Sequence, residues 1–180
     1  MRNISAKKLT LSGLMIAMVF ITTCFTRIPG PIPPGYINFG DILVMVAAIV
    51  LGKHGGFAAG AIGSALADIM SPGGLIFAPI TFIVKGMEGY ITGAIAFNSE
   101  GKSPAGMVKI IAAVAGGALV MVAGYFTAEL FILRLFDDTF GYTYAVTELP
   151  MNLVQGGISA AVGYFVVGLL NKVNIRKYIY

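Results

Sequence analysis

Charge is scarce in this chain. Only 11% of its 180 residues are Asp, Glu, Lys or Arg, against about 25% in ordinary soluble domains, while 57% are hydrophobic and mean hydropathy is +0.87. Too few charged groups exist to clothe a water-soluble globule, so the chain reads as an integral membrane protein, one compact bundle over residues 1–180. Cys24 is the only cysteine, which excludes an internal disulfide framework and a thiolate metal cluster. His54 is the only histidine; it falls in a turn with no Ser or Cys partner, and no HExxH or carboxylate-rich metal motif is present. Gly101-Lys102-Ser103 has the form of a P-loop end, but Ala96 stands where the first glycine belongs and no strand precedes it. No catalytic residue, metal or cofactor is therefore assigned, and the chain is not expected to be an enzyme.

What is present is a series of apolar segments at about 9–27, 39–52, 55–70, 75–97, 107–135 and 145–171. They are expected to be helical, because only helices and closed barrels satisfy backbone polar groups in lipid. This gives an all-α bundle of six transmembrane helices. The second and third fall short of the roughly 17–25 residues a span needs, so they are expected to be tilted, partly sunk or supported by neighbours. The basic start Arg2, Lys7, Lys8 and the sequence Ile21-Thr22-Thr23-Cys24 bear a faint likeness to a lipoprotein signal, but no small residue precedes the cysteine and the run is long enough to span.

The net charge of +4 does not point to nucleic acid. Arg2, Lys7, Lys8, Lys53, Lys102, Lys109, Lys172, Arg176 and Lys177 collect at one set of helix ends, leaving Arg27 and Arg134 at the other. By the positive-inside rule both termini are then cytoplasmic, as expected of a multi-pass protein of a prokaryotic plasma membrane. The outer loops become Ile28 to Asn38, Ser71 to Gly74 and Phe136 to Tyr144. The first, with Pro29-Gly30-Pro31-Ile32-Pro33-Pro34-Gly35, is expected neither to pair as a strand nor to continue a helix, but to form a stiff lid over the outer mouth. Glycine and serine recur every four residues at Gly52, Gly56, Gly60 and Ser64, and again at Gly89 and Gly93, a spacing for close helix approach.

Lys85 and Glu88 interrupt the apolar run from Leu75 to Phe97. A lone Lys at mid-bilayer costs about 2.5–3.5 kcal/mol even on the lenient insertion scale, so such residues face a bundle interior, a cavity or a ligand. Counted from the outer ends, Lys85, Glu129, Asn152 and Gln155 reach depths of roughly 9–15 Å at 1.5 Å per residue, and Asp68 lies near the outer end of helix 3. An outward-facing pocket follows, in which Lys85 offers a cation to a phenolate, carboxylate or carbonyl and the amides of Asn152 and Gln155 suit a polar ring. The competing reading is an ion pair of Lys85 with Glu129 or Glu88 that only joins helices. Tyr125 can stack on a flat ring or simply pack. Asp41 reads as the cap of helix 2, Asp68 as a partner of Arg27 or a ligand contact, and Glu88 as packing or an ion-pair partner.

Four stretches resemble the substrate-binding S component of energy-coupling factor (ECF) vitamin transporters: Lys8 to Ala17, Tyr36-Ile37-Asn38-Phe39-Gly40-Asp41, Gly60 to Asp68, and Ile83-Val84-Lys85-Gly86-Met87-Glu88-Gly89. The resemblance implies six helices and an outer pocket for a water-soluble vitamin or precursor, with Lys85, Glu129, Asn152, Gln155, Tyr125, Asn38 and Asp68 as contacts. It also implies that Gly13 and Ala17 pack against a coupling transmembrane subunit, that two partner ATPase subunits drive transport, and that the loaded component topples in the membrane. Within the riboflavin, pantothenate and pyridoxine branch, the absence of Trp favours a pyridoxine- or hydroxymethylpyrimidine-like ring, with pantothenate or riboflavin next. A purely structural membrane protein and a self-sufficient carrier without an ATPase module are the alternatives.

Overall fold

A computed structural model describes residues 6–97 and 106–172. Arg2, Lys102, Arg176 and Lys177, and with them the Gly101-Lys102-Ser103 turn, lie outside the described residues. Among the described residues six long helices follow in order: α1 (Ala6–Phe25), α2 (Gly40–Leu51), α3 (Lys53–Ile69), α4 (Ala78–Ala96), α5 (Met107–Thr127) and α6 (Tyr142–Lys172). Each falls on one of the apolar segments. The fifth continues beyond Thr127 as a π-helical turn over Ala128–Ile132 and a 3₁₀ turn over Leu133–Leu135.

Three stretches are long and apolar enough to cross a membrane by length and composition: Ala6–Phe25, Met107–Leu135 and Tyr142–Leu170. Their outward faces carry exposed Leu9, Leu14, Phe25, Leu119, Phe165 and Leu169, an apolar surface that only lipid or a partner can cover. The short α2 is held differently. It packs on α1, α3, α4 and α6, and Val44 to Leu51 are all buried, as its hydrophobicity on every face demands. Neighbouring helices thus support it along its length. Gly52, at φ 85° and ψ 177°, turns α2 directly into α3 in a conformation essentially confined to glycine, costing other residues about 1–3 kcal/mol.

Close contact between α3 and α4 depends on the small-residue spacing. A Cβ on Gly89 would lie 2.3 Å from the Gly56 carbonyl oxygen, and one on Gly60 would lie 2.2 Å from that of Lys85. The bare glycines therefore seat the backbone of Lys85 directly against α3. Met45, Ile49, Ile110, Val114 and Val167 fill an apolar cluster at the end of the bundle remote from the first loop.

The first loop departs from expectation by pairing with itself. Ile28–Pro29 and Tyr36–Ile37 form a two-stranded antiparallel ribbon, with Ile28 opposite Ile37 and Pro29 opposite Tyr36. Gly30 N–H donates to the Gly35 carbonyl at 2.9 Å, and Gly35 N–H to that of Ile32 at 3.0 Å. A two-stranded ribbon is all edge, where a proline's missing N–H forfeits no ladder bond.

Candidate ligand-binding site

Four helices present polar side chains at one end of the bundle, each at helical spacing. α3 brings Ser64 and Asp68, α4 Thr81 and Lys85, α5 Tyr125 and then Glu129, and α6 Glu148, Asn152 and Gln155. Thr23 of α1, Phe77 and the first loop, through Tyr36 and Asn38, close the ring around a cavity. Lys85, Glu129, Asn152, Gln155, Tyr125, Asn38 and Asp68 all line it. Gly13 and Ala17 stand apart, exposed on α1, and a Cβ on Gly13 would meet nothing within 4 Å.

The floor is an ion-pair network. Asp41 makes no capping bond at the start of α2; fully buried, it pairs through Oδ1 with Lys85 Nζ and accepts from Gln155 Nε2 through Oδ2 at 2.7 Å. The reading of Asp41 as a cap is thereby corrected, because a buried ammonium competes for a carboxylate more strongly than a helix-end N–H does. The start of α2 is served by Asn38, whose Oδ1 accepts Gly40 N–H at 2.8 Å. Gln155 Oε1 accepts Asn38 N–H at 2.8 Å, so this amide joins α6, the first loop and α2. Lys85 Nζ also lies 3.6 Å from Glu88 Oε2 and 5.4 Å from the Tyr125 ring centroid. Among the described residues it forms no ion pair with Glu129.

One wall is internally satisfied. The Tyr36 hydroxyl donates to Asp68 Oδ1, and burial, then the neighbouring Asp68 charge, hold this phenol well above its ordinary pKa, so it stays a donor. Arg27 does not pair with Asp68: its Nη2 donates to the Ala67 carbonyl, and its guanidinium lies 4.9 Å from the Tyr36 ring centroid. Thr81 Oγ1 and Tyr125 Oη share a hydrogen bond of 2.9 Å.

The facing wall is not satisfied. Glu129 sits on the π-helical turn at 3% exposure, and its Oε2 has no hydrogen-bond partner. Single π turns inside helices are frequent at functional sites. Asn152 is 8% exposed, and its side-chain amide has no hydrogen-bond partner among the described residues. Glu148, which the sequence reading passed over, accepts Ile32 N–H at 3.2 Å, while Tyr144 Oη donates to the Ile32 carbonyl at 3.3 Å. Both bonds strap the first loop to α6. The signal for Glu148 lay in its spacing, since Glu148, Asn152 and Gln155 follow at i, i+4 and i+7 on one helix face.

The arrangement suits holding a polar small molecule, since its unsatisfied groups face a cavity and its satisfied groups fix the shape. Comparison with known proteins agrees. A Pyrococcus woesei protein named "Uncharacterized protein in gap 3'region" is 37% identical over 146 residues, which cover 81% of this chain and 88% of that one. The family model described as "ECF-type riboflavin transporter, S component" matches residues 3–172. This chain therefore belongs to the family of ECF-type transporter S components, membrane subunits that serve transport.

Proposed function

We propose that the chain captures a water-soluble vitamin or vitamin precursor in this cavity and delivers it as the substrate-specificity subunit of an ATP-driven ECF transporter. The observation that carries this reading is Glu129 Oε2, buried on the cavity lining without a hydrogen-bond partner. A buried polar group without a partner costs about 1–3 kcal/mol, and a ligand that hydrogen-bonds there offsets that cost. The ring faces of Tyr125 and Phe77 suit a flat heterocycle. A pyridoxine- or hydroxymethylpyrimidine-like ring leads, with pantothenate and riboflavin next. In this reading all six helices belong to one membrane-embedded domain with both termini in the cytoplasm of a prokaryotic cell. Gly13 and Ala17 on α1 dock against the coupling transmembrane subunit, and two ATPase subunits supply the energy for toppling.

Native mass spectrometry of the purified protein, followed by a thermal-shift screen across soluble vitamins, tests this. A ligand at 100 times its Kd stabilises by about 2.7 kcal/mol, which a melting curve detects readily. The expected result is stabilisation by one vitamin class that Asn152→Ala weakens about tenfold, the loss of one hydrogen bond to a buried group. If no soluble vitamin stabilises the wild type, the reading fails. Uptake into vesicles lacking the coupling and ATPase subunits would instead identify a self-sufficient carrier.

A further inference from the structure

We infer that Glu129 and Glu148, with Asn152 one turn beyond Glu148, form an anionic corner that receives a positively charged nitrogen of the ligand. The inference rests on the ligand-binding reading above and adds the charge class. Five of the chain's eight acidic residues, Asp41, Asp68, Glu88, Glu129 and Glu148, are buried around or beneath the cavity, with Lys85 the buried cation among the described residues. Lys85 is already engaged by Asp41 and Glu88. Asp68 has the Tyr36 hydroxyl. Glu129 and Glu148 have no Lys or Arg within ion-pairing distance among the described residues, yet both line the same cavity.

Two neighbouring carboxylates away from water need a proton or a cation between them. The site is built for the second. Glu129 Oε2 is unpartnered, and the buried Asn152 amide offers its oxygen to an N–H donor. The first loop presses on Glu148 with bare backbone: a Cβ on Gly30 would lie 2.6 Å from Glu148 Oε2, and one on Gly35 2.9 Å from its Cδ. Water is thus displaced where the charge sits, which strengthens the attraction. An organic ammonium or protonated ring nitrogen brings the N–H donors that the Glu129 carboxylate and the Asn152 carbonyl accept. An anionic ligand would find the ammonium of Lys85 occupied.

The test is isothermal titration of the purified full chain with thiamine and pyridoxamine as cations, pyridoxine and riboflavin as largely uncharged probes, and pantothenate as the anion. The expected result is that the tightest binder is a cation whose affinity falls at least about tenfold in both Glu129→Gln and Glu148→Gln, the loss of a charge-assisted bond, while Glu129→Asp retains the preference. If the tightest binder is uncharged or anionic, or if a cation binds equally well to both Gln variants, the charge assignment is overturned and the vitamin-binding reading stands. If none of the five probes binds the wild type, the charge assignment is overturned, and the screen across soluble vitamins decides the binding reading separately. Should a Gln variant fail to fold, shown by far-UV circular dichroism, the wild-type ranking decides alone.

Discussion

Replacing Asp41 by Asn separates the two roles this carboxylate was given. Asp41 is fully buried, holds Lys85 Nζ with one oxygen and accepts from Gln155 at 2.7 Å with the other. Asn keeps the shape and one acceptor but removes the charge. Breaking a buried ion pair by removing one partner costs about 3–5 kcal/mol. Glu88, 3.6 Å from Lys85, retains part of the compensation, which places the loss near the bottom of that range. A helix cap would cost only about 1 kcal/mol and would be indifferent to Lys85. The cycle is completed with Lys85→Met and the double variant, each unfolded reversibly by SDS in mixed micelles and followed by far-UV circular dichroism, because the chain has no Trp to report. The double variant is expected to lose at least about 1.5 kcal/mol less than the sum of the singles, the coupling seen for contacting residues. Additive losses, or an Asp41→Asn cost within about 0.5 kcal/mol as at an ordinary surface site, would refute the ion-pair floor.

Gly60→Ala should force α3 away from the Lys85 carbonyl and cost about 1–3 kcal/mol or more in the same assay, with ligand affinity falling alongside. Gly13→Ala, whose new methyl meets nothing within 4 Å, should leave the isolated chain within about 0.5 kcal/mol of wild type, so any loss of co-purification with a coupling subunit reports the docking surface directly. Tyr36→Phe removes the hydrogen-bond donor of Asp68 and is expected to cost about 1–3 kcal/mol, and stopped-flow dissociation should show faster ligand release from a loosened first loop. Unchanged release would separate the loop from the ligand's exit.

The helices are legible because apolar runs in lipid have few alternatives, and counting depth alone gathers Asp68, Lys85, Glu129, Asn152 and Gln155. The partners are not. Depth along a helix says nothing of rotation about it, so Lys85 could be set at the pocket while Asp41, a neighbour only in space, was taken for a cap. The π turn at Ala128–Ile132 was invisible for a related reason: AELFI has nothing in its composition to distinguish it from α-helix, and the extra residue is fixed by packing. Glu148 stands near the start of the 145–171 apolar segment, but α6 begins earlier, at Tyr142, which carries this carboxylate into the second turn and onto the cavity. The ribbon in the first loop is not legible from its prolines, because a missing N–H forfeits a bond only where that edge faces a partner.

The brevity of α2 has a consequence for how the protein is made. Its twelve residues rise only about 18 Å against a hydrocarbon layer of about 30 Å, and Asp41 stands at its start. Such a segment cannot wait alone in the bilayer for its neighbours. The long helices α1, α5 and α6 can, which predicts that biogenesis proceeds by inserting those first and seating the α2–α3 hairpin last, when Asp41 finds Lys85. Pulse proteolysis of nascent chains should then find the Gly52 turn as the last site to become protected, and an Asp41 variant should keep it open longer.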